Sequence, residues 1–128
     1  MTESGYIIAL DQGTTGTTAV LVDGSGRSVW SVNREIEQIY PNPGWVEHDP
    51  SELFESCVEV AAELLEEMEV HPRAVRAIGI TNQRETALVW DRATGEPVMN
   101  AIVWQCRRTA PICESLASRG LEATIREK

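Results

Sequence analysis

The first residues that suggest chemistry form a turn between two short apolar segments, with the sequence Asp11-Gln12-Gly13-Thr14-Thr15-Gly16. Glycines let the backbone approach an anion closely, and successive N–H groups can form a concave nest around it. Thr14 and Thr15 add hydroxyl donors, and Asp11 supplies a carboxylate of the kind that binds a hydrated Mg²⁺. The turn therefore predicts a site for a phosphate group and its metal ion.

Two common phosphate motifs do not describe this turn. It lacks the Gly-Lys-Thr ending of a P-loop, and a strand follows it where a dinucleotide-binding Rossmann turn would begin a helix. An ordinary glycine-rich hairpin accounts for the same residues, because short Gly/Thr turns are common. The residues alone leave the phosphate site and the plain hairpin open.

Two further places carry side chains suited to a polyol. Arg84 and Glu85 follow an apolar segment; an arginine donates to hydroxyl oxygens, and a glutamate accepts from hydroxyl hydrogens. The indole of Trp104, followed by Gln105 and two arginines, can pack on the carbon side of a small polyol. The alternative for Arg84 and Glu85 is a surface charge pair, which composition alone favours. The alternative for Trp104 is a tryptophan of the core.

Hydrophobic patterning predicts the strands that must position these residues, over 6–10, 19–22, 28–35, 77–81 and 86–90, with an extended segment over 98–104. A tight turn is expected at Asp23-Gly24-Ser25-Gly26, so the first three strands should form an antiparallel meander. The pattern favours a layered α+β or α/β domain.

Capping signals predict two helices. Asp49, Pro50 and Glu52 form a capping-box start, and apolar residues recur at helical spacing as far as Met68. A second helix is expected over 109–118, with Gly120 as its C-terminal cap. A last helical segment, 121–128, has no stop signal, which suggests that the domain continues beyond it.

Composition narrows the class of protein. Of the 128 residues, 42% are hydrophobic, which is enough for a core. No apolar run approaches the about 20 residues of a membrane-spanning helix, and residues 1–5 do not resemble a secretory signal. The net charge of −9 argues against nucleic acid as a partner. A cytoplasmic protein without a membrane partner is expected, and three widely spaced cysteines suggest neither a disulfide framework nor a zinc site.

Four segments, in order and well spaced, resemble the glycerol kinases of the FGGY family of carbohydrate kinases. They are DQGTT at 11–15, PGWVEHDP at 43–50, ITNQRET at 80–86 and NAIVWQCRR at 100–108. The resemblance implies an α/β, ribonuclease-H-like mixed sheet with flanking helices, of the actin and hexokinase type. It also implies ATP-dependent phosphorylation of glycerol to glycerol 3-phosphate, with Mg²⁺.

The resemblance assigns roles to individual residues. Glycerol would be bound by Arg84, Glu85 and Trp104, and Mg²⁺ by Asp11. The nucleotide phosphates would be bound by Gly13, Thr14, Thr15, Gly16 and Thr18. The family often has Ser and Arg where this chain has Gly16 and Thr18, so one hydroxyl and one charge are missing from the phosphate side, while the glycerol side of the pattern is intact.

The resemblance also implies that residues 1–128 are the N-terminal part of the first of two kinase domains. The catalytic base, an aspartate, is then expected beyond Lys128, as are most adenosine contacts, so this segment alone should be inactive. The full-length protein is expected to form homo-oligomers. Other interpretations remain: a kinase for another sugar or polyol, a non-catalytic nucleotide-binding module of the actin and chaperone type, and a stand-alone remnant without activity.

Overall fold

A computed structural model describes residues 5–127, which are centred on a four-stranded mixed sheet. In chain order the strands and α-helices are β1 (Tyr6–Gln12), β2 (Gly16–Val22), β3 (Ser28–Glu35), β4 (Glu47–His48), α1 (Pro50–Glu67), β5 (Val75–Asn82), β6 (Ala101–Ile102), α2 (Ala110–Ser118) and α3 (Glu122–Arg126), and a 3₁₀ helix, Pro72–Ala74, precedes β5. The main sheet has the order β3-β2-β1-β5, and β4 pairs with β6 in a small second sheet.

The antiparallel meander of β1, β2 and β3 is confirmed. The turn between β2 and β3 depends on Gly26, whose φ of 84° lies in the region that glycine adopts readily. The Gly26 N–H donates to the Asp23 carbonyl at 2.9 Å, and the Asp23 carboxylate accepts from the Ser25 N–H at 2.8 Å. Local hydrogen bonds therefore fix where β2 ends and β3 begins.

The fourth strand of the sheet, β5, lies parallel to β1, with α1 as the crossover between β3 and β5. Because the two strands run in the same direction, their carboxyl ends meet at one edge of the sheet. Asp11 lies beside Thr81 there, and Gln12 beside Asn82. This register determines which loops can share a site.

One face of the sheet packs against α1. The strand residues Ile8, Leu10, Ala19, Leu21 and Val32 alternate along their strands and form the core with Val60 and Leu64 of the helix. The hydroxyl of buried Thr17 hydrogen-bonds that of Ser56 at 2.8 Å across this layer. The other face of the sheet carries the remaining alternate residues, among them Asp11 and Thr18.

The start of α1 agrees with the prediction at Asp49 and differs at Glu52. The Asp49 carboxylate accepts a hydrogen bond from the Ser51 N–H at 2.8 Å, and Pro50 is the first helical residue. The predicted capping box is wrong, because the Glu52 carboxylate accepts from the Glu37 N–H at 2.9 Å. The connection between β3 and β4 passes beside the helix start and provides a competing donor.

The segment after β5 is less regular than predicted. A strand over 86–90 is wrong: only the isolated bridges of Ala87 with Ile102 and of Trp90 with Pro97 occur there. Of the extended segment over 98–104, only Ala101–Ile102 forms a strand. Short two-stranded pairings without a third strand are weak, and Val89 and Trp90 are exposed.

The last helices follow the prediction more closely. α2 covers Ala110–Ser118, and Gly120, with φ 74°, donates its N–H to the Ala117 carbonyl at 2.9 Å. α3 covers Glu122–Arg126 within the predicted segment 121–128. Two sequence predictions fall outside the described residues: the helical conformation of Lys128 and the absence of a secretory signal at residues 1–4.

Candidate functional site

Two turns lie side by side where β1 and β5 end. We call residues 11–16 the Asp11 turn and residues 83–86 the Arg84 turn. The Gln83 N–H donates to the Gln12 carbonyl at 2.8 Å, which extends the parallel pairing by one bond past β5. The carboxyl ends of strands are where α/β sheets commonly bind ligands. The register therefore brings the predicted phosphate and polyol segments to one edge.

The Asp11 turn presents unpaired backbone amides. The two ends of the turn are linked by the Gly13 N–H, which donates to the Gly16 carbonyl at 2.9 Å. Within residues 5–127, the N–H groups of Thr14 and Thr15 donate to no protein acceptor, and the Thr15 hydroxyl has no partner. Free amides on a tight turn are suited to bind an anion such as a phosphate oxygen.

Gly16 has a structural reason to be glycine. A Cβ atom on this residue would lie 2.7 Å from the Arg34 carbonyl oxygen and 3.3 Å from the Glu35 Cα. The neighbouring strand β3 thus occupies the space that a side chain would need. The predicted phosphate contact at position 16 can involve only the backbone.

A row of polar residues crosses the sheet on the face opposite α1. The cross-strand register aligns Asn33, Thr18, Asp11 and Thr81 on the four strands. The Thr18 hydroxyl accepts from the Asn33 side-chain amide at 2.8 Å and keeps its own proton for donation. Thr18 therefore lies next to Asp11 and can donate one hydrogen bond to a ligand, although it carries no charge.

Asp11 is the residue that could hold the metal ion. It is exposed, and its carboxylate accepts no hydrogen bond or ion pair within residues 5–127. No cluster of three or more metal-binding side chains occurs in that range. A single free carboxylate fits Mg²⁺, which keeps several waters and is usually held by one or two carboxylates plus substrate phosphates.

Arg84 and Glu85 are both exposed and unpaired in the described part of the chain. Glu85 has φ 53°, a left-handed conformation that is uncommon for a residue other than glycine. Strained backbone of this kind is often found at functional sites. No hydrogen bond or ion pair links either residue to Trp104 among residues 5–127.

Trp104 reaches the Asp11 turn across 90 positions of sequence. Its indole N–H donates to the Thr14 hydroxyl at 2.9 Å, and its side chain is 55% exposed. The alternative of a core tryptophan is therefore wrong. The structure brings the proposed polyol-packing residue directly to the proposed phosphate turn.

A largely buried ion pair joins the motif segment 43–50, which leads into α1, to the motif segment 100–108, which contains Trp104. Arg108 donates to the Glu47 carboxylate at 2.5 Å, Asn100 donates to its other oxygen at 3.0 Å, and the Arg108 guanidinium lies 3.9 Å from the Trp45 ring centroid. The hydrogen bonds from Arg108 and Asn100 lower the pKa of Glu47, and the same contact raises the pKa of Arg108. Sequence analysis did not assign these residues, although both lie in the quoted motifs.

His48 is another buried residue to which the sequence analysis gave no role. It is completely inaccessible to solvent, and both ring nitrogens are hydrogen-bonded, one to Gln38 at 2.9 Å and one to Gln83 at 3.1 Å. Because protein partners occupy both ring nitrogens, this environment is that of a structural residue and not of a metal ligand. Burial lowers the pKa of His48, so the ring is kept neutral.

Nearly the whole chain matches the sequence profile of a family of kinases. The sequence profile of the N-terminal domain of the FGGY family of carbohydrate kinases matches residues 6–128. The chain therefore belongs to the FGGY family of carbohydrate kinases, as part of the N-terminal domain.

Its similarity is high to proteins named glycerol kinase. The chain is 58% identical to a glycerol kinase of Caldanaerobacter subterraneus subsp. tengcongensis, and 58% identical to glycerol kinase 2 of Thermotoga maritima. Each match covers 96% of this chain and 25% of the relative. The chain thus spans about a quarter of the length of the curated relatives it matches.

Solved structures give the same fold. A glycerol kinase of Plasmodium falciparum with ADP has a TM-score of 0.82 and 34% identity, over 90% of this chain and 23% of that one. A gluconate kinase of Lactobacillus acidophilus has a TM-score of 0.88 and 28% identity, over 98% of this chain and 25% of that one. The predicted fold class, a mixed sheet of the actin and hexokinase type, is confirmed. No helix within residues 5–127 is long and apolar enough to cross a lipid bilayer.

Proposed function

We propose that the full-length protein transfers the γ-phosphate of ATP to glycerol and forms glycerol 3-phosphate. The observation that carries this proposal is that a polyol-type arginine–glutamate pair and an amide-rich turn lie at one sheet edge, and that the Trp104 indole donates to the Thr14 hydroxyl of that turn at 2.9 Å. The high identity to several proteins named glycerol kinase supports glycerol as the acceptor.

The proposed mechanism is in-line phosphoryl transfer, in which the protein positions groups and neutralises charge. Arg84 would donate to a glycerol oxygen, Glu85 would accept from a glycerol hydroxyl, and the Trp104 ring would pack on the carbons. The amides of Thr14 and Thr15, with Gly13, Gly16 and Thr18 beside them, would bind the nucleotide phosphates. Mg²⁺, held near Asp11, would neutralise phosphate charge when bound.

The remaining parts of the catalytic apparatus are proposed to lie outside this segment. We place the catalytic base, an aspartate, beyond Lys128, together with a second domain that supplies most adenosine contacts. Residues 1–128 alone are then expected to be inactive, and the full-length protein is proposed to be a cytoplasmic homo-oligomer. Size-exclusion chromatography with light scattering would measure the oligomeric state.

The function is tested by assaying the purified full-length protein with ATP, Mg²⁺ and a panel of acceptors that includes glycerol, xylulose and gluconate. We expect the highest kcat/KM for glycerol. A higher kcat/KM for xylulose or gluconate would favour the alternative of another carbohydrate kinase. The similarity to solved gluconate and xylulose kinases is the reason to include these two acceptors. Nucleotide binding without any transfer would indicate a non-catalytic module.

Replacement of Arg84 tests the assigned glycerol contact. Arg84→Ala in the full-length protein should raise the KM for glycerol about tenfold to a hundredfold, since a charge-assisted hydrogen bond contributes roughly 1.5–3 kcal/mol. Arg92→Ala is the matched control, because Arg92 is also exposed and lies in a turn that belongs to neither the Asp11 turn nor the Arg84 turn. An unchanged KM for glycerol in Arg84→Ala would show that the assignment is wrong.

A further inference from the structure

A hydrogen-bonded chain, buried at its centre, connects the Asp11 turn with the Arg84 turn. His48 stands at its centre, with no solvent exposure and a hydrogen bond at each ring nitrogen. On one side it meets the side chain of Gln38, and on the other that of Gln83. His48 is positioned by β4 and lies directly before the N-cap of α1.

The direction of every bond in the chain follows from the groups at its ends. The Gln38 side-chain NH₂ donates to the carbonyls of Thr14 at 2.9 Å and Ile36 at 3.3 Å, and these oxygens only accept. The Gln38 side-chain oxygen is therefore the atom that faces His48, and Nε2 of the ring donates to it. The other ring nitrogen, Nδ1, then accepts from the Gln83 NH₂, which is the arrangement of a neutral imidazole.

The chain ends inside the two turns of the candidate site. At one end it holds the Thr14 carbonyl, and Thr14 also receives the Trp104 N–H. At the other end it holds Gln83, the residue before Arg84, whose backbone N–H is bonded to the Gln12 carbonyl at 2.8 Å. A displacement of either turn would therefore break or stretch a bond in this chain.

The Arg84 turn has a conformation that needs such support. The Gln83 side-chain oxygen and the Thr86 hydroxyl are buried without a partner in the described part of the chain, and Glu85 has φ 53°. Unpaired buried polar atoms and left-handed non-glycine backbone are both unfavourable, so they persist where the surroundings hold them. The hydrogen bond that the Gln83 side-chain amide donates to His48 is part of those surroundings.

We propose that His48 is a positioning residue that couples the two turns, so that glycerol bound at the Arg84 turn changes the affinity of the Asp11 turn for nucleotide. This inference rests on the proposed function and adds a residue that does not touch substrate. The physical basis is that the chain links both turns through hydrogen bonds of 2.9 to 3.1 Å, each with a defined donor and acceptor. Coupling of this kind is reciprocal between the two ligands.

The test compares three variants of the full-length protein. His48→Phe keeps an aromatic ring and removes both hydrogen bonds, whereas His48→Gln keeps one donor and one acceptor. His71→Phe is the matched control, because His71 is the second histidine of the chain and is exposed. For each, the Kd of a non-hydrolysable ATP analogue is measured with and without saturating glycerol, together with kcat, both KM values and Tm.

We expect glycerol to change the Kd of the analogue about fivefold or more in the unaltered protein and in His71→Phe. In His48→Phe this change should fall to less than about twofold, with kcat/KM for glycerol reduced about tenfold to a hundredfold. His48→Gln should recover most of the coupling. If His48→Phe lowers Tm but retains the full effect of glycerol on nucleotide affinity, the inference is wrong and His48 is only a core residue.

A variant at Gln38 covers the case in which His48→Phe does not fold. Gln38→Met keeps the length of a half-buried side chain and removes its link from His48 to Thr14. It should also lose the glycerol effect, and retention of that effect would reject the inference. If the unaltered protein does not phosphorylate glycerol, the proposed function fails; if it does and shows no coupling, the inference alone fails.

Discussion

At the scale of single residues, the hydrogen bond between Trp104 and Thr14 determines what the Thr14 hydroxyl can still do. An indole N–H only donates, so the Thr14 oxygen must accept at 2.9 Å. Its own proton is then free for donation to a ligand oxygen. In the proposed function, the indole would orient this hydroxyl toward a phosphate oxygen and would also pack against the polyol.

A double-mutant cycle measures this contact. Trp104→Phe and Thr14→Val each remove one partner, so each should weaken ATP binding to the full-length protein. The double variant should lose less than the sum of the two effects, with a coupling energy of about 1 kcal/mol. Isothermal titration of ATP gives the four affinities, and Trp90→Phe, at an exposed tryptophan elsewhere, is the control. Strict additivity would contradict the contact.

Gly16 allows a separate prediction about stability. Gly16→Ser would add a hydroxyl to the turn, but its Cβ would lie 2.7 Å from the Arg34 carbonyl oxygen. We expect a loss of about 1–3 kcal/mol in the free energy of unfolding, because β3 must shift to make room. Urea unfolding gives the value, with Gly79→Ser as the matched control in an open position on β5. Equal effects of the two substitutions would disprove this explanation.

Sequence reasoning found the residues of the Asp11 turn because glycine and threonine mark such turns locally. It did not find the contact of Trp104 with Thr14, since the two residues are 90 positions apart and no local pattern encodes the pairing. It also gave no role to His48, whose two hydrogen-bond partners come from distant segments. The assigned roles of the ligand-binding residues remain predictions.

At the scale of elements, α1 covers the sheet through a narrow set of side chains. Leu64 is completely buried against the strands, whereas Phe54, on the same helix, is 71% exposed. Leu64→Ala should lower the free energy of unfolding by about 2–5 kcal/mol because it leaves a cavity in the core. Phe54→Ala is the matched control and should change it by less than about 0.5 kcal/mol. Chemical denaturation distinguishes the two, and similar losses would contradict the packing described.

Elements were predictable where a local signal and tertiary packing agree. The meander and α1 combine clear turn or capping residues with an apolar face that the sheet and helix bury together. The segment 86–104 has apolar residues of strand type, yet Leu88, Val89 and Trp90 stay exposed and form few backbone bonds. Strand propensity reflects packing against neighbours, and this segment has few of them in the described chain.

At the scale of the whole molecule, stability should depend on pH through His48. Burial lowers the pKa of His48 in the folded state below the ordinary histidine value of 6.5, which applies to the unfolded state. The folded protein therefore protonates His48 only at a lower pH than the unfolded protein does. The stabilisation is therefore present above about pH 6.5 and is lost as pH falls toward the folded pKa. Urea unfolding between pH 5 and pH 8 should show this decline. His48→Gln should have a smaller decline over the same range, and an identical slope would contradict the role of His48.

The edge position of β5 has a practical consequence for work with this chain. Its outer backbone groups face no further strand of the four-stranded sheet, Ile78 and Ile80 are exposed, and Arg76 is its only charged residue. Natural sheets protect such edges with charges, bulges or covering segments. A preparation of residues 1–128 by themselves should consequently lose solubility as concentration rises, with copies stacking edge to edge. Dilute storage, and static light scattering over a concentration series, would be the first requirements at the bench.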